Sequence, residues 1–182
     1  MIIAGMVVGI VLLSTAATAG ARVAARPRTT AASCVVGHWK ADLASLASQI
    51  HIPGTIVPSG AVDFSFSRSH DYLQVYSDTL TAPVPEPSGT LGVEIKHNGA
   101  VSAKYTVSAT SLKLDGVDNA TGTVTSQSVN GTTVGSRTTS PAFGSIAPGG
   151  AVSLPYTCHG TQMTITNTGG FVWTLSRTSR TP

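Results

Sequence analysis

From residue 57 onward, apolar and polar residues alternate with a period of two, the signature of strands with one buried face. Val62, Phe64 and Phe66 alternate with polar neighbours, and the stretch from Tyr72 to Tyr76 continues the pattern. Leu91, Val93 and Ile95 form the next set, and Asn98-Gly99 predicts a hairpin turn into Val101, Ala103, Tyr105 and Val107. Leu112 and Leu114 lead to a predicted turn near Asp115-Gly116. The segments 121–129 and 132–139 flank a second hairpin signal, Asn130-Gly131. Val152, Leu154, Tyr156 and Cys158 run through His159-Gly160 into Met163 and Ile165, and Phe171, Trp173 and Leu175 form a last strand. The period changes once. Leu43, Leu46, Ala47 and Ile50 fall at i, i+3, i+4 and i+7, with Asp42 as N-cap and Pro53-Gly54 as terminator, which predicts one short N-terminal helix. About eight to ten short antiparallel strands after one helix predict a mainly β domain, a β-barrel or alternatively a β-sandwich. Two segments read as long loops: 81–89, stiffened by Pro83, Pro85 and Pro87, and 140–150, which carries Phe143 and Ile146.

The N-terminus has another character. Residues 2–21 carry no charge, and the apolar run Ile2 to Leu13 gives way to small residues ending in Ala17-Thr18-Ala19. This reads as a signal peptide over 1–19 with an A-x-A cleavage site, although no basic n-region precedes it. The alternative is an uncleaved membrane anchor, since about 20 uncharged residues can just span a bilayer. Ala31-Ala32-Ser33-Cys34 has the small residues of a lipoprotein site, but Arg22, Arg26, Pro27 and Arg28 separate it from the apolar run. Residues 20–33 read as a flexible basic tail, and 34–178 as the single folded domain, secreted or held in the cell envelope, monomeric and not inserted in the membrane after cleavage.

Composition narrows the function classes. Charged residues are only 10% of the chain and the net charge is +3. The basic residues are scattered, without the basic face or reading motif of a nucleic-acid binder. In an exported chain the only two cysteines, Cys34 and Cys158, read as a disulfide. Closing so long a loop would stabilise the fold by roughly 5 kcal/mol on the chain-entropy account.

Gly37-x-Trp39 near the start and Arg177 at the close of the last strand resemble the lipocalin and wider calycin pattern. The resemblance implies an antiparallel barrel with one end sealed by Trp39 and with Arg177 packed across its ring. Trp39 runs into a helical segment rather than a long first strand, and the family's central aspartate-bearing turn has no counterpart. The start Cys34-x-x-Gly37-x-Trp39 and the end Tyr156-x-Cys158-x-Gly160, followed by Trp173, Leu175 and Arg177, are also similar to a class of small secreted actinobacterial proteins. That likeness implies export and a calycin-like domain, and it implies no ligand.

Candidate chemistry is sparse. Cys34, His38, Cys158 and His159 contain zinc-ligand types, but a disulfide would consume both thiols, and adjacent strand residues point to opposite faces. His70-Asp71 beside serines lacks any nucleophile elbow and reads as a turn cap, so no catalytic residue is assigned. The oxygen-rich run 115–119 lacks EF-hand spacing and reads as a turn, so neither a metal nor a cofactor is expected. Asn119-Ala120-Thr121 and Asn130-Gly131-Thr132 match the glycosylation sequon. The aromatics Phe64, Phe66, Tyr72, Tyr76, Tyr105 and Tyr156 would line a barrel cavity for a small apolar or amphipathic ligand. Packed against one another they would instead fill the core of an envelope module that acts through its surface.

Overall fold

The computed structural model describes residues 31–52, 54–87, 89–118, 124–130, 132–138 and 149–180. The leader segment, either as signal peptide or as anchor, lies outside the described residues, as do Phe143, Ile146 and Asn119. No helix among the described residues is long and apolar enough to cross a membrane.

Ten strands and two short helices follow in the order α1 (Ala31–Val35), β1 (Gly37–Ala41), α2 (Leu43–Ala47), β2 (Val57–Phe66), β3 (Asp71–Glu86), β4 (Gly89–Val107), β5 (Ser111–Asp118), β6 (Val124–Val129), β7 (Thr132–Thr138), β8 (Val152–His159), β9 (Gln162–Thr166) and β10 (Val172–Ser179). All pairings are antiparallel. Eight strands, in the order β3-β2-β1-β10-β9-β8-β5-β4, close into a ring because β3 and β4 also pair with each other. β4 pairs with β5 through its C-terminal part and with β6 through residues 93–98, so the β6–β7 hairpin branches outward from it.

The alternation read from the sequence is the inside–outside pattern of this ring. Val62, Phe64 and Phe66 on β2, Tyr72 and Tyr76 on β3, Val101, Ala103 and Tyr105 on β4, and Trp173 and Leu175 on β10 all belong to one core cluster. At about 25 cal/mol per Å² of apolar surface, this shared interior is the main stabilising contribution.

α2 forms as its capping chemistry dictates. The Asp42 carboxylate accepts hydrogen bonds from the backbone N–H groups of Ala44 and Ser45, both at 3.0 Å. Leu43 and Ala47 are buried against the sheet. The Gln49 side chain donates to Val172 O at 2.8 Å and accepts from Val172 N at 2.7 Å, which pins the end of the helical segment to the start of β10.

Four expectations are corrected. Asn98-Gly99 is no turn: β4 runs straight through it, with Asn98 opposite Ser77 and Gly99 opposite Tyr76. A two-residue hairpin there would have set Val101 and Ala103 opposite Lys96 and Glu94, putting apolar and charged residues on one face. Continuing the strand keeps Ile95, Val101 and Ala103 on the same side, and burial of that side outweighs the local turn preference. Segment 81–89 is likewise no loop but the tip of the β3–β4 hairpin, in which Pro83 pairs with Gly92 and Pro85 with Thr90. Ladder pairing with β2 ends at Thr81, so Pro83 and Pro85 lie where β3 pairs only with β4, the kind of position in which a strand tolerates proline. Asp115-Gly116 is a bulge inside β5: Gly116 has φ 64°, and the register against β4 shifts between Lys104–Asp115 and Ser102–Asp118. Finally there are two short helices among the described residues rather than one, because α1 takes up residues 31–33, assigned above to the tail.

Asn130 does turn the chain as expected. Val129 pairs with Thr132, Asn130 has φ 49°, and its side-chain oxygen accepts from Gly92 N at 2.8 Å.

Candidate functional site

One end of the ring is built by α1, the turns β2–β3, β4–β5 and β8–β9, and the last residues of β10. The Cys34–Cys158 disulfide joins α1 to β8 there, as the two cysteines predicted, across a sequence separation of 124. Trp39 is fully buried and its indole N–H donates to Val35 O at 2.8 Å. Trp39 and Arg177 are direct cross-strand partners, which places the guanidinium carbon 4.4 Å from the centre of the indole ring. The same guanidinium donates to Cys34 O, so one side chain ties α1, β1 and β10 together. Burial and the neighbouring Arg180 guanidinium push Arg177 below its ordinary pKa.

Gly37 has a physical reason to be glycine. Its φ is 138°, and a Cβ there would lie 2.5 Å from Ser179 O, where β1 meets the end of β10.

Beyond this plug the end opens into a cleft of about 1230 Å³. Tyr105 and Tyr156 reach it from β4 and β8, with Val36, Val107 and Ala109 as apolar wall. Both phenols are fixed: Tyr105 donates to Ser67 O at 2.6 Å and Tyr156 to Ser108 O at 2.8 Å. Burial pushes both above the ordinary tyrosine pKa, and for Tyr105 the charge of Asp71 adds to it. His70, at φ 65°, holds its ring 5.6 Å from that of Tyr105.

The other four predicted cavity residues sit elsewhere. Phe64, Phe66, Tyr72 and Tyr76 are at most 2% exposed inside the ring. Phe64 meets Trp173 edge-on at 5.6 Å, and Phe66 contacts Tyr72 at 5.2 Å and Tyr105 at 5.3 Å. All six aromatics belong to the buried core, and Tyr105 and Tyr156 are the two whose rings also border the cleft. Farther along β3 the interior turns polar. The Tyr72 hydroxyl donates to fully buried Gln74 at 2.5 Å, and Asp78 meets His97 Nδ1 at 2.8 Å.

The remaining candidates resolve into structural roles. Asp71 closes the β2–β3 turn, accepting hydrogen bonds from Ser67, Ser69 and Lys104. These interactions, the one with Lys104 foremost, lower its pKa to about 2. His70 and Asp71 therefore belong to a capped turn. Cys34 and Cys158 are consumed by the disulfide and offer no thiolate to a metal. Asp115 pairs with Lys113 at 2.7 Å. Among the described residues no group of three or more metal-ligating side chains is gathered in one place.

The sequence reading missed Arg68, Ala109 and Arg180 at the cleft. Arg68 and Ala109 stand in separate turns and Arg180 directly after the end of β10, all far apart in the chain, so no local motif connects them. The available signal is their position next to predicted strand ends, which a ring brings to one rim. Compared with protein-family models, curated proteins and solved structures, the chain matches none.

Proposed function

We propose that the protein is an exported, calycin-like β-barrel that binds a small amphipathic ligand passively, in the cleft at its disulfide end. The observation that carries this reading is the cleft itself. Its volume of about 1230 Å³ is enough for a small organic molecule. Apolar wall and anchored phenol rings lie together there, the usual make-up of a ligand pocket. Closure of the strands into a ring and the Trp39–Arg177 stack favour the barrel reading over a sandwich. A ligand body of aromatic size, burying roughly 200 Å², would gain about 5 kcal/mol at about 25 cal/mol per Å² before association costs. The disulfide favours export or the cell envelope as the compartment.

Tight interior packing moves the site from the middle of the barrel to its end. The same packing favours a second reading, an envelope module that acts through its surface, to which the exposed Leu73 and Val75 on the outer face of β3 would contribute.

The test is native mass spectrometry of the mature protein purified from its own culture medium, followed by denaturing extraction. A small amphipathic molecule at stoichiometric level, lost in Ala109→Trp and kept in Val75→Ser, supports the cleft. A ligand-free protein whose Ala109→Trp variant also binds polarity-sensitive dyes as the wild type does would transfer the function to the outer surface.

A further inference from the structure

The protein's few charges are not evenly distributed. Lys96, Lys104 and Lys113 are each ion-paired, with Glu94, Asp71 and Asp115. Every arginine whose side chain the structure describes, Arg68, Arg177 and Arg180, lines the cleft, and among the described residues no carboxylate does. Arg68 and Arg180 are exposed and make no ion pair among the described residues. The carboxylate nearest in sequence to Arg68 is Asp71, which is already held by Lys104, Ser67 and Ser69. His70 and His159 complete the polar rim.

Two features make this more than a solvated basic patch. The Arg177 guanidinium is fixed between the Trp39 ring and Cys34 O, so its charge is held in place before any ligand arrives. Burial foremost, and Arg180 beside it, lower the pKa of Arg177, and the like-charge approach of the two arginines is one that a bound anion would relieve. Guanidinium forks match the paired oxygens of a carboxylate, sulfonate or phosphate, whereas Val36, Val107 and Ala109 offer an apolar body nothing but contact area.

We propose that the cleft selects anionic amphiphiles: a small soluble molecule whose carboxylate, sulfonate or phosphate head lies between Arg68 and Arg180 and whose apolar body rests against Val36, Val107 and Ala109. This rests on the binding function proposed above and narrows it to one charge class. A neutral molecule of the same shape would fill the same wall and leave the arginines unanswered.

The test compares two dyes of nearly the same ring system, anionic 8-anilinonaphthalene-1-sulfonate and uncharged N-phenyl-1-naphthylamine, by fluorescence titration of the oxidised protein. The sulfonate is expected to bind at least about tenfold more tightly at low salt, a difference of about 1.4 kcal/mol, and the gap narrows as salt is added. Arg68→Gln combined with Arg180→Gln removes exposed charges only, keeps Arg177, and is expected to narrow the gap severalfold by weakening the sulfonate. Equal affinities in the wild type, or a gap that the double substitution leaves undiminished, would overturn the charge assignment and leave small-molecule binding standing. Failure of both dyes to bind the wild type would overturn the binding reading together with it.

Discussion

Replacing Trp39 by alanine tests whether the ring is sealed as described. The side chain is fully buried, hydrogen-bonded to Val35 O at 2.8 Å and stacked under Arg177 at 4.4 Å. Truncating a buried tryptophan costs about 3–5 kcal/mol through lost transfer energy and the cavity left behind. The unpaired Val35 carbonyl adds about 1 kcal/mol, and the half-exposed cation-π contact about another 0.5 to 1. A total of roughly 4.5 to 7 kcal/mol is comparable with the entire stability of many domains of this size. The assay is urea denaturation of the oxidised protein followed by far-ultraviolet circular dichroism. Trp39→Phe is the control: it keeps a ring in the plug but gives up the N–H, and should cost about half as much. A loss below about 1 kcal/mol for Trp39→Ala would refute the reasoning, because no buried indole at the junction of α1, β1 and β10 could be removed so cheaply.

Three further outcomes are expected. Reducing the disulfide should destabilise the domain by up to roughly 5 kcal/mol, read as a shift of the urea midpoint, and coincident oxidised and reduced curves would argue against any constraint from that bond. Asp71, with a folded pKa of about 2 against an ordinary 3.8, adds stability that is complete above the ordinary value and is lost as pH falls toward 2; carboxyl NMR titration should show the low midpoint, and Lys104→Met should raise it. Asn98→Val should be tolerated within about 0.5 kcal/mol at its exposed strand position, whereas Asn130→Val should cost about 1–3 kcal/mol because a β-branched residue is forced to positive φ and the bond to Gly92 is lost; equal effects in thermal melts would contradict the continuous β4.

Side-chain alternation and capping made much of this architecture legible. Val62 to Phe66, Leu112 and Leu114, and Trp173 and Leu175 face inward as their period-two pattern predicts, and Asp42 caps α2 through the bonds its side chain can make. The errors came from treating turn dipeptides as decisive. Asn130-Gly131 and Asn98-Gly99 look alike locally, but a two-residue turn at Asn98-Gly99 would set Val101 and Ala103 opposite Lys96 and Glu94, whereas at Asn130-Gly131 Val129 meets Thr132 and no such conflict arises. The parity of Ile95 and Val101 held that information, and the dipeptide masked it. The prolines of β3 misled differently: they exclude a central strand, not an edge. Whether the ring's aromatics enclose space or fill it was not legible, because alternating large side chains satisfy both. The cleft was least legible, since Arg68, Ala109 and Arg180 share one rim only when two separate turns and the end of β10 reach it.

Ring closure also fixes a schedule. β1 lies between β2 and β10, the earliest and latest strands available to it, so Trp39 has no lid until Arg177 has been made. At synthesis rates of roughly 5–20 residues per second, the separation of 124 residues between the two cysteines corresponds to roughly 6–25 seconds during which Cys34 has no partner. Long-range pairing of this kind must wait for the chain before it can lower its energy. For those seconds the β1 edge and the indole are open to whatever holds nascent chains, and the final strand of the domain, rather than its first, decides when folding is complete.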